Sequence, residues 1–124
     1  MELAHAAICV SDLDRAMEFY AALGFEESHR FTLNGVENVY LGADDEDGAL
    51  QLRHDPDRTT PIAPSRADVD HLAFTVEDVE VTFEAAIEAG GAAVLEPTEI
   101  EPADAYAAFV EDPEGYTVEF YRGL

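Results

Sequence analysis

The sequence predicts an α+β fold in which two tandem βαβββ modules form a cupped, mixed β-sheet. The chain repeats itself, because sliding it so that His5 meets His71 also places Asp12 on Asp78. In each copy, β-branched and aromatic runs surround one helical pattern. A proline-rich stretch separates the copies. We predict a single domain over 1–124, with module 1 at about 1–55, a linker at about 56–67 and module 2 at about 68–124.

The first copy begins with a weakly alternating strand at about 3–10, followed by a helix. Ser11 or Asp12 is suited to cap that helix, and Gly24 to end it. Strand-like runs follow at about 25–33, 36–42 and 48–53, with an acidic loop at 44–48. Asn34-Gly35 is typical of a tight hairpin. The apolar positions with helical spacing are Leu13, Met17, Tyr20 and Leu23.

The second copy follows the prolines and ends in the most specific stretch of the chain. We predict a strand at 71–76, a helix from the Asp78 cap to Ala89, and a short strand at 92–95. A loop containing Pro97 and Pro102 should come next. The closing stretch, 106–121, predicts an antiparallel hairpin that turns on Asp112-Pro113-Glu114-Gly115.

The charge of the chain limits its partners. Asp and Glu number 28 against six arginines, lysine is absent, and the net charge is -22. Such a surface repels nucleic acid and anionic membranes, so we expect neither as a partner. Without a signal-like start, and with Cys9 as the single cysteine, the chain is expected to be cytoplasmic. Dispersed acids without lysine predict a halophilic protein from a salt-rich cell.

Strand parity brings four polar residues to one concave face. Along the last strand, Val118 and Phe120 point one way and Glu119 the other. The same alternation in three other strands leaves His5, Gln51 and His71 on the face of Glu119. Two imidazoles, an amide oxygen and a carboxylate are a suitable ligand set, which predicts one divalent metal per site; Ni, Zn, Co and Mn all remain open.

Each of these four residues, taken alone, is more often structural or solvated than a ligand. Random polar residues, however, have no reason to recur at matched positions of a repeat with the same parity, so the quartet favours a metal site. His29 and His54 are interpreted as structural or exposed, since His54 has the wrong parity to join Gln51.

The quartet and the closing hairpin together resemble a known family. The pattern is that of the glyoxalase I branch of the vicinal oxygen chelate superfamily, and the resemblance covers nearly the whole chain. It implies a paired βαβββ fold, a metal held by one residue from each of four strands, and a homodimer. The matching residues are His5, Gln51, the run His71-Leu72-Ala73-Phe74-Thr75-Val76, and Ala108-Phe109-Val110-Glu111-Asp112-Pro113-Glu114-Gly115-Tyr116-Thr117-Val118-Glu119-Phe120.

The resemblance implies a small-molecule substrate, a 2-oxoaldehyde–thiol hemithioacetal such as that of methylglyoxal, isomerised to an α-hydroxy thioester with Glu119 as the catalytic base. Cys9, Arg53 and Glu37 are the candidate substrate-binding residues. Bacterial-type relatives carry Glu where this chain has Gln51, and an arginine that holds a glutathione carboxylate where it has Cys9. These departures leave open a thiol other than glutathione.

Three other functions stay open for the same fold. A methylmalonyl-CoA epimerase-like enzyme shows the same quartet but needs a second acid, for which Glu37 is the candidate. An extradiol dioxygenase would place Fe(II) on His5, His71 and Glu119. A metal-free protein that binds or sequesters a small hydrophobic compound would need none of these ligands.

Overall fold

The computed structural model describes residues 1, 3–43 and 49–124. It divides into two compact units, Met1–Ile62 and Ala63–Leu124. Within the described residues, each unit has one α-helix and one four-stranded mixed sheet. This is the predicted α+β architecture with a βαβββ order in each copy. The predicted acidic loop, 44–48, lies outside the described residues.

In the first unit, the first and last strands along the chain lie side by side in the sheet. The first strand runs parallel to the last, and the other neighbours are antiparallel, giving the order β1-β4-β3-β2. Asn34 and Gly35 both have positive φ (52° and 82°), which confirms the predicted hairpin between β2 and β3. The elements are β1 (Ala6–Cys9), α1 (Leu13–Ala22), β2 (Phe25–Leu33), β3 (Val36–Ala43) and β4 (Leu50–His54).

Helix α1 begins and ends where the sequence predicts. Asp12 is the cap, and its carboxylate accepts the Arg15 N–H at 3.0 Å. The buried stripe differs from the prediction, because Phe19 is fully buried while Met17 is only half-buried. The bulk of Phe19 widens the buried arc on the side away from Met17. The residues buried under the helix are Leu13, Ala16, Phe19 and Tyr20 from α1, and Ile8, Val39, Leu41, Leu50 and Leu52 from the sheet.

The second unit repeats this topology with the order β5-β8-β7-β6. Asp78 caps its helix, as predicted, by accepting the Val81 N–H at 3.0 Å. No helix among the described residues has the length and apolarity to cross a membrane. The elements are β5 (Leu72–Thr75), α2 (Val79–Glu88), β6 (Ala92–Ile100), a 3-10 turn (Glu101–Ala103), β7 (Ala105–Glu111) and β8 (Thr117–Gly123).

The length of β6 corrects the sequence prediction. A short strand at 92–95 followed by a loop is wrong, since β6 continues through Pro97 to Ile100. Strand β6 lies at the edge of its sheet. Because no strand pairs with its outer side, a proline on that side does not have to donate an N–H to a neighbour. The pairing with β7 shifts between Leu95 and Thr98, so an irregularity in the ladder accommodates Pro97.

The closing hairpin is held by one buried carboxylate. Asp112 Oδ1 accepts the N–H groups of Glu114, Gly115 and Tyr116 at 3.0, 2.9 and 2.9 Å. The Gly115 N–H also donates to the Asp112 carbonyl at 3.0 Å, closing the predicted turn. The turn sets the register of β7 against β8 and so places Glu119 directly opposite Phe109.

Candidate metal and substrate site

One face of the first sheet packs under α1, and the opposite face, called here the open face, carries polar and aromatic side chains. His5 precedes β1, and its ring meets the Tyr40 ring edge to face, with centroids 5.2 Å apart. Tyr40 lies directly opposite Gln51 in the register of β3 and β4. His5 and Gln51 therefore flank one aromatic ring. Across the strands, one row of the open face is His29, Tyr40, Gln51 and Ala7, and the next is Phe31, Asn38, Arg53 and Cys9.

The second unit builds the same arrangement on its own sheet. His71 precedes β5, and its ring meets the Phe109 ring edge to face at 5.3 Å. Phe109 lies opposite Glu119, as Tyr40 lies opposite Gln51. The His71 Nε2 atom is 3.1 Å from Glu119 Oε1. Each unit thus brings one imidazole and one oxygen-bearing side chain to equivalent places beside an aromatic ring.

A carboxylate orients His71. Asp70 Oδ2 lies 2.8 Å from His71 Nδ1 and 2.5 Å from Arg66 Nη2. The Arg66 hydrogen bond, followed by that of His71, lowers the pKa of Asp70 to about 2. An ionised carboxylate only accepts, so His71 donates through Nδ1 and presents Nε2 toward Glu119. The sequence reasoning missed Asp70 and Arg66; the signal was an acidic residue directly before the histidine with an arginine four positions earlier.

The amide of Gln51 is also held in place. Its Nε2 donates to Asn38 Oδ1 at 2.8 Å, and Gln51 is 8% exposed. Arg53 donates to the same oxygen through Nε at 3.3 Å. Asn38 is a second residue that the sequence reasoning missed, because a lone asparagine within a strand carries no motif.

Cys9 and Arg53 lie opposite each other in the register of β1 and β4. Together with Arg58 they line a cavity of about 110 Å³ in the first unit. Asp55 lines it too, so two arginines and one aspartate contribute to the wall of the cavity. In a chain with six basic residues and 28 acidic ones, two arginines at one cavity make it locally favourable for an anionic group.

The register of β3 and β4 decides the face on which Glu37 lies. In the register of β3 and β4 it lies opposite His54, and the two side chains approach to 3.3 Å. Alternation along β3 puts Glu37 on the face of the buried Val39, opposite to the face of Gln51. Glu37 therefore lies on the face opposite to Gln51, which counts against its predicted role as a substrate-binding residue or second acid beside Gln51. His54 shares the face of Glu37, as its parity indicates.

The donors suit a divalent metal in kind and in direction. His71 offers Nε2 beside a Glu119 oxygen, while the bond to Asn38 leaves the Gln51 oxygen as the outward end of its amide. Imidazole nitrogen with carboxylate and amide oxygen suits first-row divalent ions. The part of the chain that the structure describes contains no cluster of three or more His, Cys, Asp or Glu side chains that could hold a metal ion.

Known proteins match the chain over almost its full length. The Glyoxalase/Bleomycin resistance protein/Dioxygenase superfamily model matches residues 2–120. A probable lactoylglutathione lyase of Synechocystis is 33% identical, over 98% of this chain and 95% of its own length. The lactoylglutathione lyase of Haemophilus influenzae is 29% identical, over 97% of this chain and 91% of its own.

Solved structures agree with the sequence relatives. Glyoxalase I from Zea mays superposes with a TM-score of 0.76 at 25% identity, over 99% of this chain. The chain spans 45% of the length of that maize protein. The family model and these relatives lead to one conclusion: the chain belongs to the Glyoxalase/Bleomycin resistance protein/Dioxygenase superfamily, and its relatives there include enzymes named lactoylglutathione lyase.

Proposed function

We propose that this protein is a metal-dependent, glyoxalase I-like enzyme that converts a 2-oxoaldehyde–thiol hemithioacetal, such as that of methylglyoxal, to an α-hydroxy thioester. The observation that carries the proposal is the duplicated pair: His5 with Gln51 on one sheet and His71 with Glu119 on the other. The names of the relatives support the reaction class.

The four residues would hold one divalent metal per site. His5 and His71 would contribute ring nitrogens, and Gln51 and Glu119 side-chain oxygens. Ni, Zn, Co and Mn all accept such a set. When bound, the metal supplies Lewis-acid stabilisation of negative charge on the two adjacent substrate oxygens.

Glu119 would move the proton. Its carboxylate takes the proton from the hemithioacetal carbon, and the electron pair of the broken C–H bond moves toward the adjacent carbonyl. The same carboxylate then returns the proton to the former carbonyl carbon, and the hydroxyl proton of the hemithioacetal passes to the former carbonyl oxygen. The thioester C=O and the α-hydroxyl group form together, so no outside oxidant or reductant is needed. Among the four proposed ligands only Glu119 can act this way, because the Gln51 amide does not ionise. Each histidine would give its one free lone pair to the metal, whereas a carboxylate has a second oxygen to accept the proton.

The cavity beside Cys9 and Arg53 would take the anionic part of the thiol. Arg53 lies two residues beyond Gln51 on β4 and on the same face, a step of about 7 Å along the strand. That distance lets a small thiol reach the cavity while its carbonyl end lies beside Gln51. We propose that the thiol differs from glutathione, since Cys9 stands where bacterial-type relatives have an arginine for a glutathione carboxylate.

The position of Glu37 weighs against the epimerase. That reaction needs a second acid on the far side of the substrate carbon, and Glu37 lies on the other face of its sheet, beside His54. The one-base isomerisation needs no such group, so we retain it as the proposed reaction.

We also propose a homodimer working in the cytoplasm of a halophilic cell. The maize glyoxalase I chain is about twice as long as this one, which fits a working assembly built from two copies of this length. The net charge of -22 and the absence of lysine support a salt-rich interior, where screening shortens the reach of self-repulsion.

The proposal is tested by mixing methylglyoxal with glutathione and with smaller thiols and following thioester absorbance after addition of the nickel- or cobalt-loaded protein. We expect thioester to form with at least one thiol. The His71→Ala variant, shown to be folded like the wild type, should form no thioester. Absence of thioester with every thiol and metal would refute the reaction, and equal turnover by His71→Ala would refute the site.

A further inference from the structure

We propose that Asn38 is a positioning residue, which fixes the end of the Gln51 amide that faces the metal. This inference rests on the proposed function, since it takes Gln51 to offer an oxygen to a divalent metal. Asn38 on β3 lies opposite Arg53 on β4, two pairs along from Tyr40 and Gln51 and on the same face. Asn38 is 4% exposed and Gln51 8%, so the contact between them is sheltered from water.

A glutamine ligand has a difficulty that a glutamate ligand does not have. The two ends of an amide are nearly equal in shape, but one is an oxygen with lone pairs and the other an NH₂ group that only donates. Only the oxygen can bind a cation. An active glutamine ligand therefore needs a neighbour that distinguishes the two ends.

The hydrogen bonds here determine the orientation step by step. The Arg53 Nε–H can only donate, so the end of Asn38 that faces it at 3.3 Å is the oxygen. The other end of Asn38 agrees, because its Nδ2 donates to the Val36 carbonyl at 3.0 Å. An acceptor therefore faces Gln51, and Gln51 must present Nε2, at 2.8 Å.

The Gln51 oxygen is then left for a ligand. Among the described residues the structure gives Gln51 Oε1 no hydrogen bond, and it leaves no buried side-chain nitrogen or oxygen without a partner there. An unbonded oxygen must accordingly keep some accessible surface, and Gln51 belongs to the open face, where it pairs with Tyr40. Because Arg53 can only donate, it fixes the orientation of the Asn38 amide, and Asn38 in turn fixes the orientation of the Gln51 amide.

The second unit provides an internal comparison. Glu119 occupies the place of Gln51, and its carboxylate has two equivalent oxygens. The positions equivalent to Asn38 and Arg53 are Ala107 and Tyr121, which pair in the register of β7 and β8. The orienting pair is present where the ligand is an amide and missing where it is a carboxylate. This is what an orienting role requires, and a general packing role does not explain it.

The first test measures metal affinity in Asn38→Leu, using Co²⁺ or Ni²⁺ in competition with a chromophoric chelator. Without the acceptor, the buried NH₂ loses its partner, so the amide favours the flipped state in which its oxygen accepts from Arg53. We expect affinity to fall by about 10- to 100-fold, the usual effect of removing a partner that orients a ligand. Asn38→Asp keeps an acceptor toward Gln51 and Arg53, although it loses the donor to the Val36 carbonyl, and should bind the metal more tightly than Asn38→Leu.

A double-mutant cycle with Gln51→Glu separates orientation from packing. Both ends of a carboxylate at position 51 are oxygens. In the Gln51→Glu background, Asn38→Leu should therefore lower the metal affinity by less than about threefold. An equal loss in both backgrounds would overturn the orienting role. An undiminished affinity in Asn38→Leu, with a clear loss in Gln51→Ala, would also overturn it and leave the proposed function standing. A wild-type protein that takes up neither metal would overturn both.

The metal-free protein gives a second readout by NMR. The Gln51 Nε2 protons should exchange slowly with water in wild type and in Asn38→Asp, and rapidly in Asn38→Leu. Equal exchange rates in wild type and Asn38→Leu would show that Asn38 does not hold the amide, whatever the metal affinity.

Discussion

Replacing Glu119 by Gln should separate metal binding from proton transfer. The amide has the shape of the carboxylate, and the register that places residue 119 opposite Phe109 depends on backbone pairing, which the change leaves intact. His71 Nε2 lies 3.1 Å from Glu119 Oε1, so in the metal-free variant the amide NH₂ at position 119 can donate to the lone pair of that nitrogen. We therefore expect an unchanged fold and most of the metal to be retained, since an amide already serves as the proposed ligand at position 51.

Turnover should behave differently. Loss of a general base costs about 10²- to 10⁴-fold in rate, which corresponds to about 3–5 kcal/mol of activation free energy. The assay is thioester formation from the preferred hemithioacetal, with kcat and KM measured on protein of known metal content. The matched control is Glu37→Gln, a carboxylate on the opposite face of its sheet, which should leave kcat unchanged. Near wild-type kcat in Glu119→Gln would refute the proton-shuttle role.

Three further predictions concern stability and assembly. Asp112→Ala removes the acceptor of three backbone N–H groups and should lower the free energy of unfolding by about 2 kcal/mol in chemical denaturation, whereas Asp112→Asn keeps an oxygen acceptor and should cost less. The melting temperature should rise from dilute buffer to molar KCl, because the Debye length shrinks to about 3 Å at 1 M; a melt independent of salt would contradict the halophilic proposal. Light scattering in high salt should give the mass of two chains, and a monomer at micromolar concentration would contradict the dimer.

The elements of the fold were predictable because their signals are local. Asp12 and Asp78 start helices through their own side chains, and Asn34-Gly35 suits a turn that needs two positive φ angles. Pro97 misled the prediction because proline excludes a central strand but is tolerated on an edge strand, and only the strand order shows that β6 is an edge.

Only the features of the candidate site that follow from strand parity and from the internal repeat were predictable. Alternation placed Gln51 and Glu119 on equivalent faces, and the register confirms that equivalence. The face of Glu37 depends on the pairing of β3 with β4, which no local signal fixes. Asn38 depends on that pairing as well. Its role comes from contacts with a strand that begins a dozen residues later, so it has no signature in the sequence.

The central claim is that His5, Gln51, His71 and Glu119 together hold one divalent metal, and metal content tests it most directly. The protein would be purified from cells supplied with Ni, Zn, Co and Mn, and its metal measured by mass spectrometry beside His5→Ala and His71→Ala of equal fold. We predict one divalent ion per site in wild type and loss of most of it in both variants. Wild-type protein without metal, or a metal content unchanged in His71→Ala, would contradict the account.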